Sequence, residues 1–456
     1  MGFLFRRTGA VVAVALMLLP CGSPLSAMGR GEDEAGGSRM TLRDCLQWAV
    51  SNSTRIRICE ADRDDARLNR RDALLRAVTP QVNASTYAYY NFGRSIDPQT
   101  NTYFTQTSFH NNYSISAGFD LFDGFEAVNN YRISKTSLSM SDSEQQSAEA
   151  DICLAVMEAY YNVVYYTQLS DIYSKMVDEA KAKLTLASRQ EELGLKGHAD
   201  VVQIQADLAQ REYELIEMRN RLLSEKMNLE DLMFWPVDTP LEIDTEVPLP
   251  EAAPTREEDI VESALRLNPQ MSIARGKVDN ARLQLSTAKW QVLPTLGLYA
   301  GWNTSYYTYM SGNTDPFATQ FRNNGGQYIE LALSIPLWDR MARSSRISKG
   351  KNALRRAEAQ LDENTRKITS EVHRAVQDMN GQEASYIQAR RLSEVQQEAF
   401  ALNGRKLEEG LISPLEFQTA SNNYLKAKAD EMGSLLKFLI KQSVVKYYSG
   451  IPYQDQ

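Results

Sequence analysis

Apolar side chains recur along this chain with two different periods, and the period switches at defined places. Leu425, Ala429, Met432, Leu436 and Leu439 step by four, three, four and three, and Ile152, Val156, Ala159 and Val163 step by four, three and four. That is the seam of helices packed side by side along their length. No proline interrupts the chain between Asp123 and Lys196, or between Trp338 and Ser413. Ala, Leu, Glu, Gln, Lys and Arg dominate both stretches, and all are good helix formers. The pattern predicts helices of about 60 residues, roughly 90 Å long. A compact domain has no use for helices of that length.

Two other regions alternate with period two. In "YSISAGFDLF", Tyr113, Ile115, Ala117, Phe119 and Leu121 share one side, and Ser114, Ser116, Gly118 and Asp120 the other. In "QYIELALSIPLW", Ile329, Leu331, Leu333 and Ile335 oppose Glu330, Ala332 and Ser334, while Leu296, Leu298, Ala300 and Trp302 form the apolar side of an earlier strand. Each region predicts two strands of about ten residues around a polar loop, "GRSIDPQTNT" in one and "MSGNTDPFATQFRNNGG" in the other. An apolar face backed by a small or polar face is what a membrane β-barrel strand requires. The same alternation serves a soluble hairpin or sandwich edge. Tyr87, Tyr89, Tyr90, Tyr299, Trp302, Tyr306 and Tyr307 favour an aromatic girdle at a membrane surface.

The two halves repeat each other. Helices stop at Pro80 and Pro294, strands end at "LFDG" and "LWDR", and long helices stop at Gly194 and Gly410 before a second helix. The predicted order is a leader at 1–27, a flexible N-terminal segment at 28–40, and a first-repeat helix at 41–79. A β-hairpin at 80–122 and a long coiled-coil hairpin at 123–234 complete the first repeat. After an acidic, Pro-rich linker at 235–258 the second repeat follows: helix 259–293, β-hairpin 294–338, coiled-coil hairpin 339–448, and a tail at 449–456. Four strands cannot close a barrel, for which about eight is the usual minimum. If these strands sit in lipid, several chains must share one barrel.

Composition narrows the choice. The chain has 456 residues, a formal net charge of −8 and a mean hydropathy of −0.42. No basic run points to nucleic acid. Arg6 and Arg7, the apolar run Ala10 to Leu19 and the small residues of "SPLSA" make a secretory leader, too short to span a membrane. Beyond it no apolar run reaches the ~18 residues of a membrane helix, so the protein is either soluble outside the cytoplasm or crosses a membrane as strands. Cys21, in "LLPC", is a candidate for lipidation; the other reading is a thiol lost with the leader. Cys45 and Cys59 fall in one predicted helix, about 21 Å apart, too far for a disulfide, and with Cys153 they read as buried thiols. His110, His198 and His373 lie in unrelated elements without metal-ligand spacing. There is no P-loop and no dinucleotide fingerprint. Nothing calls for a cofactor, a metal or catalysis, and the abundant acids at helical spacing read as solvated faces.

The helix turns carry the most information. "GLKGHADVVQIQADL" and "GLISPLEFQTASNNYL" place a glycine, a leucine and a carboxylate at matching positions. Gly194 and Gly410 suit the left-handed position after a helix end. Ser413, Pro414 and Glu416 read as a capping box with proline at the first helical position. Asp200 stands at the corresponding position after Gly197.

With "LFDGFEAVNNYRISK" and "IPLWDRMARSSRISKGK" at the strand-to-helix junctions, these turns resemble the TolC-like outer-membrane efflux proteins of Gram-negative bacteria, from about Thr41 to Tyr448. The resemblance implies a mainly α chain with membrane β: a homotrimer whose 12-stranded barrel in outer-membrane lipid continues into a long periplasmic α-helical barrel. It implies an exit duct for tripartite efflux or type I secretion. The partners would be a periplasmic adaptor (membrane fusion) protein and an inner-membrane pump of the RND, ABC or MFS type. Asp200 and Glu416 then match tip carboxylates that threefold symmetry would gather into rings attracting cations; helix capping is the competing role. The aromatic and basic residues that lock some members are replaced here by Leu407 and Ile412, and a second acid is replaced by Thr419. The gate would rest on Leu407, Leu411 and Ile412. Gly194, Leu195, Gly410 and Leu411 would form the adaptor-docking tip, or Leu195 and Leu411 would merely pack their hairpins. The other architecture left open is a periplasmic or surface coiled-coil protein with soluble β-tips and no pore.

Overall fold

The computed structural model describes residues 39–96, 101–105, 107–247, 256–310 and 314–456. The leader, Cys21, most of segment 28–40 and linker residues 248–255 lie outside the described residues.

The first repeat runs α1 (Leu42–Asn52), α2 (Thr54–Val78), β1 (Gln81–Asn91), β2 (Arg94–Ile96), β3 (Tyr103–Thr105), β4 (Ser108–Phe122), α3 (Glu126–Glu192) and α4 (His198–Met233). The second runs α5 (Glu257–Leu267), α6 (Pro269–Trp290), β5 (Thr295–Tyr309), α7 (Phe317–Asn323), β6 (Gly326–Ser334), α8 (Ala342–Glu408) and α9 (Pro414–Tyr448). α3 and α8 have 67 residues each, about 100 Å of helix.

Three expectations need correction. The helix expected over 41–79 is two helices, because Ser53 is extended, at φ −63 and ψ 129. It stands in "SNST", whose side chains compete with the helical backbone for hydrogen bonds. Cys45 and Cys59 therefore lie in different helices, and Cys59 is only half-buried. The helix over 259–293 likewise breaks at Asn268, whose side chain caps α6 by accepting the Gln270 N–H, with Pro269 next. The strands are also less uniform than expected. β4 and β5 have 15 residues while β6 has 9, ending before Pro336, and α7 lies inside the second polar loop.

The four long strands form one antiparallel sheet in the order β1-β4-β5-β6. The central pair, β4 with β5, joins the two repeats, with Ile115 opposite Trp302 and Ala117 opposite Ala300. The alternation is as read from sequence. Val82, Ile115, Leu298, Ile329, Leu331 and Leu333 share one face and are solvent-exposed in the single chain.

Below the sheet, α6 of the second repeat packs on α3 of the first. Asn129 donates to Thr287 at 2.9 Å, Asn280 to Ser137 at 3.3 Å, and Gln270 to Ser147 at 2.9 Å, fixing the antiparallel register. At Gly276 a Cβ would stand 2.7 Å from Met140 Cγ, so any larger residue would force the Met140 side chain to shift.

The main core lies where α1, α3, α4 and α9 meet. Leu46, Val156, Met157, Val163, Leu229 and Met233 are completely enclosed there. Met40 and the first part of the linker close it, with a parallel bridge between Met40 and Ile243. Tyr160 donates its hydroxyl to the Asp244 carbonyl at 2.5 Å. Tyr453, in a 3₁₀ turn after α9, stacks on Tyr447 at 4.8 Å. Among the described residues no helix is long and apolar enough to cross a membrane.

Candidate functional site

The α3–α4 and α8–α9 hairpins end in two turns built alike. α3 stops because Gly194 adopts φ +74, and α8 because Gly410 adopts φ +73. In each turn two amides bridge back: Gly194 to the Glu191 carbonyl and Leu195 to Gln190, Gly410 to Leu407 and Leu411 to Lys406. This motif normally tucks the residue after the glycine against an apolar side chain in the last helical turn. Here the side chains available are Gln190 and Lys406. Leu195 and Leu411 are left 76% and 68% exposed. They do not serve hairpin packing within the chain.

The two tip carboxylates differ. Glu416 Oε2 accepts from the Ser413 amide at 2.9 Å and its hydroxyl at 3.2 Å, and Ser413 Oγ accepts the Glu416 amide at 3.3 Å. That is a complete capping box. Asp200 has the same place in α4, but its cap position is Gly197, which has no side chain to reciprocate. Its exposed carboxylate has no hydrogen-bond partner among the described residues. The tip also pairs His198 Nδ1 with Glu191 at 2.7 Å across the α3–α4 turn.

Leu407, Leu411 and Ile412 do not form one apolar cluster in the single chain. Leu407 turns inward to line a small gap with Ala180, Pro414 and Phe417. Ile412 is half-buried, and Leu411 points to solvent.

Behind this gap lies a charged cluster whose acids, Asp207 and Glu214, have the helical spacing expected of a solvated face. Arg211 of α4 is 2% exposed. It pairs with Asp207 at 3.5 Å and Glu214 at 3.3 Å on its own helix. Across the interface it donates to Ser421 at 3.2 Å and Asn422 at 2.6 Å on α9. Beside it the Lys183 ammonium sits 3.7 Å from the Phe417 ring centroid, and Phe400 stacks on Tyr424 at 5.1 Å. Burial holds Lys183 below the ordinary lysine value, against the opposing pull of Glu179, Asp207 and Glu408. All four long helices meet in this cluster. The signal that could have found it is the repeat itself: the position equivalent to Arg211 in the second half is Ala427, a small apolar residue that is buried.

Comparison with known proteins agrees with this architecture. The profile of the outer membrane efflux protein family matches residues 46–233 and 260–443. The alkaline protease secretion protein AprF of Pseudomonas aeruginosa is 24% identical over 378 residues, covering 79% of this chain and 75% of that protein. The CmeC outer membrane channel of Campylobacter jejuni matches with a TM-score of 0.75 over 91% of this chain and 85% of that one, at 13% identity. The outer membrane protein VceC of Vibrio cholerae matches with a TM-score of 0.73 over 91% and 96% of the two chains, at 15% identity.

Proposed function

The chain belongs to the outer membrane efflux protein family, and from that premise we propose that it is the exit duct of a tripartite export system, working as a homotrimer. The sheet carries this reading. Its edge strands β1 and β6 are open in the single chain, and one of its faces is a continuous apolar surface. In lipid an open edge leaves backbone groups unsatisfied, so neighbouring copies join edge to edge. Four strands from each of three copies reach a closed barrel, with the Ser, Asn and Gly face turned to the lumen. A non-pore coiled coil has no use for such a face.

The helices support the same assembly. α4 exposes Tyr213, Ile216, Leu223 and Met227, and α8 exposes Ile387, Val395 and Leu402, at helical spacing. These are second apolar stripes, left over once the hairpins within the chain have packed, and adjacent copies would cover them.

The duct performs no bond chemistry in this reading; the inner-membrane pump supplies the energy. The periplasmic adaptor meets the tip at Leu195 and Leu411, whose exposure has no other use within the chain. Asp200 and Glu416 form acidic rings at the constriction, and the Arg211 cluster sets how far α9 can move from α4. The name of AprF, a protease secretion protein, favours a polypeptide cargo over a small molecule.

Fractionation of the native host tests the assembly. Heat-modifiable trimers extracted from the outer membrane are expected; a soluble monomer in the periplasmic fraction would overturn the reading. The double variant L195D/L411D is expected to abolish export with the trimer intact. Normal export would remove the docking role.

A further inference from the structure

The loop between β5 and β6 carries α7, and its place is unexpected for a loop at the mouth of a duct. β6 pairs with β5 only as far as Gly326 opposite Asn303, while β5 continues along β4 to Tyr309. Above Asn303, α7 takes the place of the missing strand. Gln320, 3% exposed, accepts the Tyr307 N–H at 3.1 Å and donates to the Tyr307 carbonyl at 2.9 Å. Those are the two bonds a strand partner makes. Its amide also donates to the Asp315 carbonyl at 2.8 Å, and Asn324 donates to the Ser305 carbonyl at 2.8 Å. Side-chain amides thus continue the ladder.

The helix lies on one particular face of the sheet. Thr304 donates its hydroxyl to the Phe321 carbonyl at 2.7 Å. The Phe321 ring rests 5.4 Å from Tyr113 and 5.6 Å from Trp302, and Phe317 lies 5.3 Å from Tyr306. Trp302, Thr304 and Tyr306 alternate along β5, and Tyr113 stands opposite Thr304. This is the face that continues downward through Ala300, Leu298 and Leu296. From Tyr306 to Leu296 is about 33 Å of strand, or about 25 Å of height at the usual barrel tilt, which is the thickness of an outer-membrane apolar band. α7 sits at the far boundary of that band, outside the sheet.

We propose that α7 is an interfacial element that docks in the outer leaflet of the outer membrane, with Phe317 and Ala318 toward lipid, and not a lid over the mouth of the duct. The proposal rests on the outer-membrane reading above. Gln320 and Asn324 tether the helix to the β5 edge, and the aromatic cluster beneath it is the girdle into which such a helix settles. Arg322, exposed on the same helix, can reach the phosphate level while its stem stays in the boundary.

Nitroxide labels at A318C and, separately, I329C, on a Cys59→Ser background in proteoliposomes, test this. Ile329 is 83% exposed in the middle of the apolar face. Both labels are expected to collide with oxygen and exclude a water-soluble nickel chelate. Nickel access at 318 with oxygen access at 329 would overturn the proposal and leave the outer-membrane reading standing. Nickel access at both positions would sink the two together. Adding Gln320→Ala is expected to free the label at 318 and admit nickel there with the trimer intact; an unchanged label would overturn the tether.

Discussion

Arg211 of α4 and Asn422 of α9 are joined by a 2.6 Å hydrogen bond between two helices of different repeats. Asp207 and Glu214 already balance the charge of the arginine on its own helix. The bonds to Asn422 and Ser421 can therefore be removed without stranding a buried charge, which makes the contact testable. The double variant S421A/N422A is expected to cost about 1–3 kcal/mol of stability and to raise the resting single-channel conductance in planar bilayers. Arg211→Met would confound the test, since it also removes the ion pairs to the half-buried Asp207 and Glu214. A resting conductance equal to that of the parent protein would show that the clamp does not hold the gate.

The two tip acids should respond differently to neutralisation. Glu416 is engaged by Ser413, and a glutamine keeps that acceptor, so Glu416→Gln mainly removes a favourable charge from the start of α9, at a cost of about 0.3–1 kcal/mol. Asp200 has no such partner among the described residues, so in the proposed duct its charge is free to act on passing ions. Asp200→Asn is expected to lower cation preference, read as the reversal potential across a salt gradient, with little change in melting. Equal selectivity losses from both variants would mean that capping does not restrain Glu416.

Much of this architecture was legible in the sequence because it rests on local rules. Proline-free stretches gave the long helices, period-two alternation gave the strand faces, and glycine and Ser-Pro-x-Glu gave the turns. What escaped depends on partners distant in sequence. The break at Ser53 has no proline or glycine to announce it. α7 hides in a polar loop because its helix is held by the edge of β5, through Gln320. Arg211 has acids at helical spacing on both sides, the pattern of a solvated face. Only the packing of α9 against α4 makes it buried.

Stability should fall at alkaline pH through groups in the core between α1, α3 and α9. Burial pushes the Cys45 thiol up to about 12, Cys153 up to about 11 and the Tyr161 phenol up to about 12, from ordinary values of 9.0, 9.0 and 10.0. The unfolded chain loses these protons first. Their stabilisation is complete below pH 9 and declines as pH rises through the folded values, by up to about 1.4 kcal/mol per group per pH unit. Lys183, shifted down, works in the opposite direction below its ordinary 10.5. A C45A/C153A variant should therefore show a shallower loss of melting temperature between pH 9 and 11. An unchanged slope would place the alkaline sensitivity elsewhere.

The strand-to-helix junctions solve one geometric problem with different residues. In both, an aspartate before the helix accepts an amide of its first turn: Asp123 from Ala127 at 2.6 Å, and Asp339 from Arg343 at 2.7 Å. To reach that position the chain passes through two left-handed residues, Gly124 and Phe125 at φ 71 and 66 in the first repeat, Arg340 and Met341 at φ 51 and 66 in the second. Gly124 takes this conformation freely, while Arg340 carries a left-handed strain of about 1–2 kcal/mol. A Cβ at Gly124 would also stand 3.3 Å from the Trp290 carbonyl. Gly124→Ala should thus destabilise by about 1–2 kcal/mol, because strain and crowding act together. Arg340→Gly relieves the strain but loosens the unfolded chain by about 0.4–1 kcal/mol, so its melting temperature should stay close to that of the parent protein. Matched losses in the two variants, measured by thermal unfolding of the detergent-solubilised protein, would show that the aspartate bond and not the left-handed pair controls the junction.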